Sequence, residues 1–177
     1  ANTIIAKLPD VPGLDDEERS QMLGEAHFVR ALSLHNAVKL WGDSAETGLG
    51  VPMPLEPPAS LAEASQITRA TTGEVYAQIF ADLDEAESLM SDSSSTTTAS
   101  AGAVLAIRAR VHLYRENWAA AEQAAEELED LGNNDLEADY STPFVSDNSD
   151  EDILRISYTP VEYQNIGYYY RAPGFGG

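Results

Sequence analysis

Apolar positions recur at helical spacing in four stretches of this chain, each bounded by residues that start or stop a helix. Asp15 precedes the first stretch and Glu18 follows three residues on, a pairing in which the Asp side chain accepts from a free backbone N–H. The acidic turn Asp16-Glu17-Glu18 complements the positive end of a helix dipole. From there the spacing predicts a helix to Trp41. Met22, Ala26, Val29, Ser33, Ala37 and Leu40 mark its expected buried stripe, widened by Phe28 and Leu32. Arg30 and Lys39 leave that stripe and are expected to reach solvent. Gly42 is expected at the C′ position in the left-handed conformation.

Residues 51–60, VPMPLEPPAS, hold four prolines, none with a backbone donor. Residues 43–68 therefore read as a long surface connection. Thr71 and Glu74 then form a capping box that opens a second helix, with Val75, Ile79, Leu83, Ala86 and Met90 on one face. The serine- and threonine-rich run SDSSSTTTAS reads as a flexible loop. Two more helices follow, AVLAIRARVHLYREN and WAAAEQAAEELEDL, with Asn117 as a cap and Gly132 as a stop. So short a turn makes them antiparallel neighbours. The spacing of Tyr114, Asn117-Trp118 and Ala121 is that of a tetratricopeptide-type hairpin. Trp41 and Trp118, at helix ends, are expected in the core. Leu154, Ile156 and Tyr158 alternate with Arg155 and Ser157, which predicts a short strand. The expected fold over residues 1–177 is mainly all-α: helical hairpins arranged as an α-α superhelix, with long loops and a short C-terminal strand.

Composition changes this picture mainly through charge. Thirty acidic against ten basic residues leave a net charge of −20, with Lys7 and Lys39 as the lysines. Nucleic-acid binding needs positive charge to displace counterions, so no nucleic-acid partner is expected. The acids are spread along the helices, a pattern that fits either adaptation to a saline milieu or plain solubility. The 177 residues suffice for one buried core. No cysteine is present, which removes thiolate metal sites and cysteine nucleophiles.

Candidate chemistry is sparse. His27 and His35 stand eight residues apart, and His112 has no i, i+4 partner, so no metal site is expected. Asp82, Asp84, Glu85 and Glu87 lack the Asp-x-Asp-x-Asp-Gly arrangement of a calcium loop and read as a solvated acidic face. Glu25 and Arg30 read as a scaffold ion pair or as solvated positions. No catalytic residue and no cofactor is assigned. Tyr163, Tyr168, Tyr169 and Tyr170 cluster near Asn165 and Arg171. Such rings can stack on sugars while their hydroxyls hydrogen-bond, which makes them candidate ligand-binding residues; the plainer reading is that they pack against a C-terminal region absent from this chain.

The order of segments carries a resemblance. ANTII, GEAHFVRA, LWGD with Val51-Pro52, RATTGEVYAQIFADLDEA, ARVHLYRENWAAAEQAAEEL and NSDEDILRISY stand in sequence over residues 1–158. This series resembles the SusD/RagB family of outer-membrane nutrient-binding lipoproteins. The resemblance implies a non-catalytic binder of glycans or other nutrients on the extracellular face of the cell outer membrane. It implies a SusC-like TonB-dependent transporter as partner. It also implies membrane attachment only through a lipid anchor absent from this chain, which would be the central helical part of a longer protein. A tetratricopeptide-like scaffold that binds a protein segment is the alternative. Ligand contacts vary within the family, so the resemblance transfers no binding residue.

Overall fold

Helix α1 (Asn2–Lys7) runs through a 3-10 turn at Leu8–Asp10 into the long helix α2 (Asp16–Trp41) in the computed structural model, which describes residues 1–91, 95–145 and 149–156. Asp15 caps α2 by accepting from Glu18 N at 2.8 Å. Strand β1 (Leu49–Pro52), the single turn α3 (Leu61–Ala64) and strand β2 (Arg69–Thr71) precede helix α4 (Thr72–Leu89). The capping box forms as the sequence predicts: Thr71 Oγ1 accepts from Glu74 N at 3.2 Å, and Glu74 Oε2 accepts from Thr71 N at 2.8 Å. Helices α5 (Ala101–Tyr114) and α6 (Trp118–Asp130) form the antiparallel hairpin, and a short helix α7 spans Thr142–Val145.

The core lies between α2, α4 and α5. Phe28 and Ala31 of α2 meet Val75, Ile79, Leu83 and Ala86 of α4, and Val104, Ile107 and Val111 of α5 complete the cluster. Each of the larger aliphatics contributes roughly 1.5–3 kcal/mol by leaving water. Small residues set the spacing between helices. Gly24 sits so close to Leu89, Met90 and the Ala86 carbonyl that a Cβ there would press on α4. In the hairpin, Ala121 and Ala124 are the buried residues of α6, and a Cβ on Gly102 would touch Leu128.

Several expectations change. The buried residues of α2 are Gly24, Ala26, Phe28, Ala31, His35 and Val38, so Ala26 and Phe28 are buried as expected while Met22, Val29 and Leu40 are exposed. Helix α2 carries apolar residues on several sides, and α4 packs on the side where Gly24 allows close approach and Phe28 fills the core. Trp41 and Trp118 are 67% and 62% exposed, so neither belongs to this core. Residues 43–68 hold regular structure after all: β1 pairs antiparallel with β2, Leu49 opposite Thr71 and Pro52 opposite Arg69. A two-stranded ribbon is all edge, and there Pro52 costs no ladder bond. Asn117 begins α6 without a side-chain cap, and Gly132 ends it at φ +67. Of the stretch expected as a strand, residues 152–156 carry a bend and no strand, with Arg155 N donating to Thr96 O at 2.7 Å, and Ser157 and Tyr158 lie outside the described residues.

Candidate functional site: a tyrosine-lined cleft at the end of helix α2

The end of α2 is built to turn the chain sharply. Gly42 has φ −82 and ψ 155, an extended rather than left-handed conformation. Glycine is required here by space: a Cβ would lie 2.6 Å from Val38 O and 2.7 Å from Val38 Cγ2. Asp43 then closes a loop on itself, its N–H donating to Leu49 O at 2.9 Å and its Oδ2 accepting from Leu49 N at 2.8 Å. The loop docks on the start of α4, where Gly73 N donates to Glu46 O at 2.8 Å and Thr72 N to Gly48 O at 2.9 Å. Arg69 fixes the outer side, donating to Gly50 O at 2.7 Å and Trp41 O at 2.6 Å.

This turn and the α5–α6 junction enclose an open cleft of about 500 Å³. Its aromatic surface is Tyr76 of α4 and Tyr114 of α5, and its charged rim includes Lys39, Glu46, Arg115 and Glu116. Arg115 lies over the Tyr76 ring, 4.6 Å from its centroid, and pairs with Glu46. Lys39 Nζ stands 5.8 Å from the Tyr114 centroid. Glu116 takes φ 58, the left-handed value that the tight turn between two antiparallel helices requires. Tyr76 is buried at the cleft floor, and burial, with Tyr114 nearby, raises its hydroxyl pKa above the usual 10.0. Behind both rings lies His35, 0% exposed, edge-on to Tyr114 with centroids 5.1 Å apart. Burial first, then Lys39 and Arg110, pushes its pKa down to about 4, so the ring is neutral at ordinary pH. Neither ring nitrogen has a partner among the described residues. The cleft thus presents the half-exposed Tyr114 and a rim of both donors and acceptors, while Arg115 covers the Tyr76 ring.

Residues 1–113 match the SusD-like family described as starch-binding associating with outer membrane. The chain belongs to the SusD-like family. A SusD-like protein of Formosa agariphila is 32% identical over 128 residues, which are 72% of this chain and 23% of that one. A SusD superfamily protein of Bacteroides thetaiotaomicron superposes with a TM-score of 0.82 at 25% identity, over 91% of this chain and 37% of its own. A laminarin-binding SusD-like protein superposes with a TM-score of 0.60 at 27% identity, over 72% of this chain and 26% of its own. The chain thus spans about a quarter of the curated relative and a little over a third of the Bacteroides structure.

The SusD-like scaffold distributes the sequence-predicted residues unevenly. Tyr163, Tyr168, Tyr169 and Tyr170 lie outside the described residues. Arg30 is largely withdrawn from solvent; it turns inward to Asp82, which is 1% exposed and no part of a solvated acidic face. His27 Nδ1 donates to the same carboxylate at 2.8 Å. A carboxylate that far from water needs such partners, so this cluster is structural. Asp84 and Glu87 do stand in solvent and share Arg108, at 2.8 and 2.6 Å. Glu25 accepts from Gln21 at 2.9 Å and does not meet Arg30. Among the described residues no group of His, Asp and Glu is arranged to hold a metal ion. The cleft itself went unread in the sequence. Its one local signal is Tyr114-Arg115-Glu116 at the hairpin turn, polar and aromatic together where helix pairs usually need only a cap.

Proposed function

We propose that the chain is the helical part of a nutrient-binding protein that captures glycans without cleaving them. The observation that carries this reading is the match of residues 1–113 to a family described as starch-binding, joined by the likeness to a laminarin-binding relative. The cleft at Tyr76 and Tyr114 supplies compatible chemistry. In this reading the whole protein is lipid-anchored on the extracellular face of the outer membrane and hands its ligand to a SusC-like TonB-dependent transporter. The net charge of −20 favours neutral nutrients over nucleic acid or other polyanions.

Binding is tested by affinity electrophoresis and calorimetry against a panel of starch, laminarin and other plant and algal glycans. Retention by at least one polysaccharide, with no release of reducing ends, is expected. Turnover abolished by a single carboxylate substitution would make the protein an enzyme and end the reading. Partnership is tested separately: a tagged whole protein, solubilised from outer membranes, should bring a TonB-dependent transporter with it.

A further inference from the structure

Three helices close on His35. Lys39 stands one turn on along α2, Tyr76 faces the imidazole from α4, and Tyr114 and Arg110 face it from α5. The two charged groups that act on the ring, Lys39 and Arg110, are both cations. The acids of the adjoining cleft, Asp43, Glu46 and Glu116, make no hydrogen bond to either ring nitrogen. A proton added to His35 therefore meets no acceptor and gains two like charges as neighbours. A buried cation without a partner is among the costlier arrangements in a protein interior. The fall of its pKa from 6.5 to about 4 is a penalty of about 300-fold on the charged ring. Any rearrangement that admits water to the ring and costs less than that factor will accompany protonation.

The two aromatic walls are unequal. Tyr76 is buried and lies beneath Arg115, which Glu46 holds. Tyr114 is 55% exposed, and among the described residues no hydrogen bond holds its hydroxyl. It is the last residue of α5, so turning its side chain from one rotamer to another breaks no helix hydrogen bond. Its remaining ring contact is the Lys39 ammonium, 5.8 Å from the centroid, which an imidazolium would repel. We propose that Tyr114 is an acid-operated gate: when His35 takes up a proton, the tyrosine ring swings away from the imidazole, water enters, and the cleft at the end of α2 opens while α5 stays folded. The gate is independent of what the cleft binds, and it makes the shape of the cleft a function of pH.

Nuclear magnetic resonance on the 177-residue chain, with isotope-labelled histidine and tyrosine rings, tests it between pH 7.5 and 4. His35→Leu and Tyr114→Phe assign the two ring signals. The Tyr114 signal and the ionisation of His35 should share one midpoint between pH 6.5 and about 4, with far-ultraviolet circular dichroism constant across it. In His35→Leu the Tyr114 signal should no longer follow that midpoint, which separates the gate from titration of Asp43, Glu46 and Glu116. Tyr114→Ala removes the gate, and His35 should then take up its proton about tenfold more readily. Should that variant fail to fold, the titrations of the parent and of His35→Leu still decide. A Tyr114 signal that stays constant while His35 ionises overturns the gate, as does one that moves equally in His35→Leu. A His35 ring that stays neutral down to pH 4 overturns it as well. So does a shared midpoint that coincides with loss of helix, because His35 would then report unfolding of the chain and not a local opening.

Discussion

Arg30 and Asp82 meet through two parallel hydrogen bonds, Nε to Oδ2 at 2.8 Å and Nη2 to Oδ1 at 2.7 Å, across the buried interface of α2 and α4. The remaining guanidinium nitrogen reaches Asn2 Oδ1 at 3.2 Å and Leu55 O at 3.3 Å. One arginine thus ties α1 and the proline-rich segment to the helical core.

Removing one partner leaves a buried charge without compensation. Asp82→Ala is expected to destabilise by about 3–5 kcal/mol in urea unfolding, because Arg30 and His27 then face an empty space. Arg30→Met combined with Asp82→Leu should recover much of that loss, since well-packed apolar residues often replace a buried pair at little cost. A double variant as unstable as the single one would show that the contacts of Arg30 with Asn2 and Leu55, rather than the charge pair, dominate.

Gly42→Ala and Gly42→Asn discriminate two reasons for a glycine at a helix end. A left-handed C′ residue tolerates Asn better than Ala. At φ −82 that distinction vanishes, and any Cβ runs into Val38 O at 2.6 Å. Both variants should destabilise alike, by about 1–3 kcal/mol of overpacking, and so lower the melting temperature equally. Selective rescue by Asn would mean that the turn is left-handed.

What was legible in the sequence was local. Asp15 with Glu18 and Thr71 with Glu74 act over three residues, and Gly132 acts at one, so the chemistry that sets these helix boundaries lies within one turn. The face of α4 was legible too, because its large apolar residues occupy one side. The face of α2 was not. Ala26 and Phe28 lie on the expected stripe, but the face also runs through Gly24, Ala31 and His35, which carry little hydrophobic weight. Asp82 left a trace: it falls between Ile79 and Ala86 on the apolar face of α4, where a lone charge demands a partner. Naming Arg30 as that partner takes tertiary structure, since 52 residues separate the two. The cleft was illegible for the same reason, being assembled from the end of α2, the start of α4 and the hairpin turn.

His35 makes stability depend on acid. Its pKa falls from 6.5 to about 4 on folding because burial disfavours the charged ring, with Lys39 and Arg110 adding to that; Tyr76 and Tyr114 are its ring neighbours. A group with a depressed folded pKa contributes its full stability above its unfolded pKa. That contribution is lost as pH falls from about 6.5 toward 4, and the two values correspond to roughly 3 kcal/mol. His35→Leu, similar in volume and free of unpartnered nitrogens, should match or exceed the parent at pH 7.5. Its advantage should widen steadily down to pH 4. Parallel pH profiles for the two proteins would mean that His35 is not buried as a neutral ring.

Salt separates the two meanings of the −20 charge. The Debye length falls from about 10 Å at 0.1 M to about 3 Å at 1 M, so repulsion among dispersed carboxylates is mostly screened by then. Screening alone therefore predicts a melting temperature that rises with KCl and levels off near 1 M. A chain adapted to saline surroundings should gain further stability between 1 and 3 M, as salt excluded from the surface strengthens apolar burial. Sulfate is excluded more strongly than chloride and should enlarge that second gain. The exposed pairs of Arg108 with Asp84 and Glu87 will be weakened by the same screening, but such pairs contribute at most about 1 kcal/mol and cannot mask the trend. Melting curves at 0.1, 1 and 3 M KCl decide the matter. A plateau beyond 1 M would reduce the acidity to a means of solubility.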